Sequence, residues 1–373
     1  ETLAAPNTFD QAFDAMPPVA GPDLAASDAI PAALQELAAS LHHDPDQIMA
    51  YVANRIGFLP FWGALKGAFG AFLDQEGTAF DQASLAIALL RESGFSADYV
   101  HGVLQIPVDT AANWFGTAND MYSLAYLLSG AGVPFETTFV WVGNVLHLRM
   151  EHVWVRVAIE GTTYVFDPAF TQYTQRDPLD LPAITGYDRD DFLAQATAGA
   201  TVTSDSVQAL NTANIERTLT EYAARLKTHL DTTAPAADLP EILGGPRVIP
   251  SASGTRHTAH PYQHQVNAVW SEIPASLHTT LQVEHAGIDH QFASHDLAGT
   301  RLTIFYTAAN RPVLRLDGET IATGTAVTPG SAQQIRLTAK HPYLPNAHVR
   351  DLHVSAGGSY LIVNGWGSIG KGT

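Results

Sequence analysis

The sequence predicts an α+β fold, and three features of residues 31–170 carry that reading. A helix at 79–93 places Ala83, Ile87 and Leu90 together with Leu85 and Leu89 on more than one face, as a helix at the centre of a domain requires. Alternating segments follow at 97–106, 137–143, 145–150, 152–159 and 163–170, each with the period of two that marks strands. Ile159-Glu160-Gly161-Thr162 joins two of them as a β-hairpin turn. Helices first and an antiparallel meander afterwards make an α+β layout, not a series of βαβ units.

Residues 1–30, rich in Ala, Pro and Asp with little periodicity, read as an extended N-terminal arm. Residues 31–57 read as two helices divided at Asp44-Pro45, because proline suits a first helical turn. Leu34, Leu37 and Leu41, then Ile48, Val52 and Ile56, keep helical spacing. The segment 58–72 has Lys66 as its only charge and reads as a buried loop and helix or as the wall of a cleft. Gly94 stops the central helix, and residues 119–131 form a further helix that also ends near glycine. From 190 to 233 the stripe Leu210, Ile215, Leu219, Tyr222, Leu226 and Leu230 predicts a helix, followed by a Pro/Gly-rich link to 254. Short alternating strands fill 262–365. The expected divisions are a core at 31–190, a helical connector and linker at 191–250, and a β-rich domain at 251–373.

Composition excludes several functions. A formal charge of −18 opposes binding to nucleic acid, whose phosphates need a cationic surface, and to an anionic bilayer. No apolar run approaches the roughly 20 residues that span a membrane, so no membrane insertion is expected. The first residues, ETLAAPNTFDQAF, lack the basic and apolar regions of a signal peptide. The chain has no cysteine, which removes disulfides, thiolate metal sites and a thiol nucleophile. Lys66-Gly67-Ala68-Phe69-Gly70 lacks the phosphate-binding loop pattern. Ten of the sixteen histidines lie between His257 and His353, with His257, His260 and His264 close together and His285, His290 and His295 at five-residue steps. Without an HExxH pattern or cysteine they read as solvated or locally hydrogen-bonded, so no metal and no cofactor is expected.

The stretch Gly77-Thr78-Ala79-Phe80-Asp81 through Val100, the run Glu151-His152-Val153-Trp154-Val155 and the tetrad Asp167-Pro168-Ala169-Phe170 together resemble the transglutaminase-like domain, a papain-related fold. Over most of residues 31–365 the chain is similar to the N-terminal transglutaminase-like module of large bacterial proteins of the RHS-repeat and polymorphic-toxin kind. Residues 63–67, Asn113-Trp114, Arg149–Trp154 and Gly244–Ile249 also carry that closer likeness. The resemblance implies a central helix on an antiparallel sheet and a Cys-His-Asp triad for acyl transfer or amide hydrolysis. It also implies a secreted, periplasmic or cell-surface setting, a protein or peptide ligand, and further domains in a longer parent chain.

Carried over by position, the histidine is His152, the aspartate is Asp167, and the nucleophile position is Ala79. In such a triad the histidine takes the thiol proton and the aspartate orients the imidazole. Alanine has no lone pair to attack a carbonyl, so the chain as written cannot follow that route. Ser84 lies about 140° around the helix from position 79 and cannot substitute; Thr78 would need a different backbone angle. Asp81 reads as a first-turn helix charge. Trp62, Trp114 and Trp154 are candidates to line a substrate cleft or to fill the core. The implied alternatives are a silent binding or scaffold module, a thiol enzyme carrying a Cys→Ala replacement, and a purely structural adaptor.

Overall fold

Asp44 caps the second helix as its sequence suggests: the carboxylate accepts the backbone amides of Asp46 and Gln47, and Pro45 opens the helix. The computed structural model describes residues 30–250 and 256–362, so residues 1–29 of the expected arm lie outside the described residues. Helices Ala32–Ser40, Pro45–Arg55 and Gly67–Asp74 surround a central helix, Ala79–Glu92. Eleven of its fourteen residues are buried, which is why its apolar side chains cover more than one face.

The central helix packs on an antiparallel sheet. Strand Ser96–Pro107 pairs along its length with the long strand Val145–Ile159. The far edge of that long strand carries two shorter ones, Val140–Val142 at one end and Thr162–Phe166 at the other. Glu160 and Gly161 both take positive φ, 50° and 80°, and Ile159 faces Thr162, so the expected hairpin closes through a two-residue turn of the mirror-image kind. Residues 145–150 and 152–159 are one strand and not two. Glu151 continues the strand and pairs with His101 of the neighbouring strand at 2.9 Å. The segment 137–143 contributes only three strand residues. An unforeseen helix, Val108–Phe115, begins after Pro107 without a side-chain cap, so its start left no capping signal.

The fifth strand of this sheet comes from far along the chain. Gln263–Trp270 pairs antiparallel with Ser96–Pro107. The chain divides after Gln172: residues Tyr173–Ile249 form one compact unit, and the remainder, before and after, forms the other. The division near 250 lies at Ile249/Pro250, and residue 190 falls inside the inserted unit. Strand Gly245–Val248 pairs with Tyr173–Arg176, so the two ends of the inserted unit are tied to each other. Within that unit the expected 190–233 helix is replaced by a short helix Arg189–Ala196, a small hairpin and a helix Thr212–Thr232. Leu210 of the sequence stripe precedes the helix, which Asn211 caps at the amide of Asn214.

Residues 280–362 build two four-stranded antiparallel sheets around a second core of Leu281, Val283, Ile304, Leu314, Leu316 and Ile335. They belong to the same compact unit as the central helix. Among the described residues no helix is long and apolar enough to cross a membrane.

One close approach in the main sheet yields a test. Gly102 sits where Trp154 of the long strand folds over it. A methyl there would lie 2.6 Å from the Trp154 ring and 2.2 Å from the Gln265 carbonyl oxygen. Neither neighbour can yield, because one is backbone and the other a fully buried ring. Gly102→Ala is expected to destabilise by about 3 kcal/mol, read as a lower denaturant midpoint at unchanged slope. An unchanged midpoint would show that the strands can part without cost.

Candidate functional site

The site is assembled from the first turn of the central helix, the middle of the long strand and a return segment at 256–262. Thr78 caps the helix by a capping box: its hydroxyl accepts the Asp81 amide, and the Asp81 carboxylate accepts the Thr78 amide at 3.1 Å. Asp81 also accepts the backbone amides of Leu65, Lys66 and Gly67 at 2.8–3.0 Å on one oxygen. It is thus more than a first-turn charge, since it binds the loop 63–67 onto the helix start. Burial pushes its carboxyl above the ordinary range, against the downward pull of the Lys66, Thr78 and Gly67 amides. The same loop is held from its other side: Ala64 N–H donates to Leu277 O, Thr279 N–H to Ala64 O, and the Ser294 hydroxyl to Leu65 O. Lys66 is buried with its amine on Asp74 at 2.7 Å.

Ala79 is the first residue of the helix and is 7 % exposed. His152 is 3 % exposed and lies 2.8 Å from Asp167 through its Nε2. The hairpin brings them together: Val155 faces Phe166, so Asp167 just beyond that strand stands beside the His152–Trp154 edge. Asp167 Oδ2 also receives His260 Nε2 at 3.1 Å, and Oδ1 receives the Ala169 amide at 3.1 Å. Burial alone would raise the Asp167 carboxyl, but the electrostatic attraction and hydrogen bonds of His152, then of His260, hold it well below the usual carboxylate range.

An ionised carboxylate only accepts, so both imidazoles carry their proton on Nε2. For His260 this fixes the tautomer twice over, because its Nδ1 accepts the Tyr262 amide at 3.1 Å. For His152 the other ring nitrogen, Nδ1, makes no hydrogen bond among the described residues.

An aromatic ladder runs between the two halves of the site. Phe58, in the strand pair that includes Gly77, stacks on Trp114 at 5.3 Å, and Trp114 meets the His152 ring edge-on at 5.0 Å. Trp114 donates Nε1–H to Ala169 O at 2.7 Å. Trp154 is fully buried. Trp62 packs on Phe80 and near His101. All three tryptophans belong to the core cluster. Strand alternation sends His152 and Trp154 to one sheet face and Glu151, Val153 and Tyr99 to the other, where Tyr99 donates to Ser84 of the central helix at 3.0 Å. The structure thus joins His152, Asp167, Trp114 and Trp154 closely, while Trp62 stands with Phe80 beside Ala79.

The sequence of residues 33–168 matches the family model Transglut_core, the transglutaminase-like superfamily. Residues 33–168 are a transglutaminase-like domain. Comparison with curated proteins and with solved structures returns no match. The transglutaminase-like domain contains Ala79, His152 and Asp167 but ends short of His260, which sequence reasoning had placed among solvated or locally bonded histidines. That expectation is corrected at three positions. His260 is buried on Asp167. His285 is buried between Gln334 O and the Tyr306 hydroxyl. His341 is pushed down to about 4 by burial, with His348 adding to it. Among the described residues no group of three or more His, Asp or Glu could hold a metal ion.

Proposed function

We propose that this domain is a catalytically silent transglutaminase-like module, serving as a binding or scaffold unit of a larger secreted or surface-associated bacterial protein of the RHS-repeat or polymorphic-toxin kind. The observation that carries the reading is Ala79 at the first residue of the central helix, in a chain with no cysteine. Its closed surroundings support it further. Loop 63–67 is bonded across the helix start, and the His152–Asp167 pair is buried. A module whose cleft is shut in this way would engage a protein or peptide ligand through its outer surface, alongside the parent's other domains.

The intact pair favours a second reading, a thiol acyltransferase or protease of the papain-like kind carrying a Cys→Ala replacement. His152, held by Asp167 through Nε2, keeps the histidine–aspartate half of such a triad.

The discriminating experiment is Ala79→Cys, assayed for amine incorporation into a glutamine donor and for amide hydrolysis. The protein with Ala79 is expected to be inert, since loss of a nucleophile removes on the order of 10⁶-fold in rate. On the silent reading the Cys variant folds and stays inert. Turnover by Ala79→Cys that vanishes in Ala79→Cys/His152→Ala would replace it with the second.

A further inference from the structure

We propose that His260 is a positioning residue for the His152–Asp167 pair, fixing the Asp167 carboxylate from a segment beyond the family-matched region. The proposal rests on reading that pair as the family's acid–base pair.

Geometry carries it. His260 and His152 converge on one oxygen, Asp167 Oδ2, at 3.1 and 2.8 Å, while Ala169 N–H holds the other. Three donors on one buried carboxylate set both its position and its plane. His260 is itself oriented by the Tyr262 amide on its Nδ1, so its Nε2–H is committed to Asp167. Its ring lies near Trp154, Phe170 and Tyr262, at centroid distances of 5.4–6.3 Å. Packing alone would be better served there by an apolar ring, because burying imidazole needs both nitrogens satisfied.

Apart from the Tyr262 amide, the backbone around His260 is secured without the imidazole. Arg256 forms a two-point bond to Asp46 at 2.9 and 3.0 Å. Val165 N–H donates to His257 O at 2.7 Å, Gln105 N–H donates to Tyr262 O at 2.8 Å, and strand Gln263–Trp270 follows. A segment pinned before and after position 260 tolerates replacement of the side chain. Two imidazoles sharing one oxygen compete for it, so removing His260 strengthens the bond from His152.

The test is ring-nitrogen NMR on the histidine-labelled protein with Ala79 in place, so its outcome does not depend on whether a restored thiol turns over. His152 and His260 are expected to show Nε2–H protons protected from exchange, with His260 Nδ1 unprotonated. In His260→Phe the His152 Nε2–H signal moves downfield. In His260→Gln, whose amide can donate from the same place, it returns close to its original position. A His152 signal unchanged between wild type and His260→Phe overturns the proposal. If His260→Phe does not fold, the wild-type spectrum decides, because a His260 in the Nδ1–H tautomer also overturns it.

Discussion

Asp167→Ala is expected to cost about 4 kcal/mol of folding stability, more than any other change to the histidine pair. The substitution leaves His152 Nε2–H, His260 Nε2–H and the Ala169 amide facing the space where one carboxylate had been. Both histidines are buried, so water cannot freely take its place. Removing one partner of a buried charged network costs about 3–5 kcal/mol, because the groups left behind stay desolvated. Asp167→Asn should lose less, since its carbonyl can still accept from an imidazole while its amide opposes the Ala169 N–H. Acid provides an independent check. The folded carboxyl is held below its unfolded value of about 3.9. Its contribution is therefore fully present above that value and is lost as pH falls below it. The gap between wild type and Asp167→Asn should accordingly narrow between pH 7 and pH 3, measured as urea midpoints. A gap that stays constant across that range would show that Asp167 does not contribute through its charge.

The parts legible in the sequence are those fixed by neighbours along the chain. Asp44-Pro45 divides two helices because cap and first-turn proline act within three residues. Glu160-Gly161 turns the hairpin because its backbone angles are a local demand. The all-round apolar helix is central because no solvent-facing stripe interrupts it. The resemblance names His152 and Asp167, and the short hairpin between them lets an antiparallel pair bring them to 2.8 Å. His260 was not readable. It is 93 residues from Asp167, and a whole compact unit is inserted between them. No period or spacing encodes that return; contacts distant in sequence bring it about, among them the pairing of Gln263–Trp270 with Ser96–Pro107 and the Arg256–Asp46 bond. The apolar stripe that began at Leu210 misled for the opposite reason. Spacing alone does not register a cap, and Asn211 starts the helix after that leucine.

Asp81→Ala should cost a similar 3–4 kcal/mol, by a different route. Its carboxylate is the acceptor for four backbone amides, those of Leu65, Lys66, Gly67 and Thr78. Leu65 and Lys66 lie in the loop and Gly67 opens the helix Gly67–Asp74, so none of the three amides has a partner within a helix or strand. Each buried amide left without an acceptor costs about 1–3 kcal/mol, and relaxation of the loop keeps the total below the simple sum. Asp81→Asn separates acceptor count from charge. Its carbonyl can serve the three loop amides, but its NH₂ then faces the Thr78 amide, so its loss should fall between wild type and alanine. The Thr78 hydroxyl, which has one proton to give, can turn wholly to Gly63 O at 2.8 Å. Denaturant midpoints for the three proteins should fall in the order Asp, Asn, Ala. In Asp81→Ala, amide exchange should quicken first at residues 65–67, because those donors lose their partner outright. A loss under about 1 kcal/mol would mean that water reaches these amides as readily as the carboxylate does. The loop over Ala79 would then be an openable cover, which would weigh against the closed-site reading of this domain.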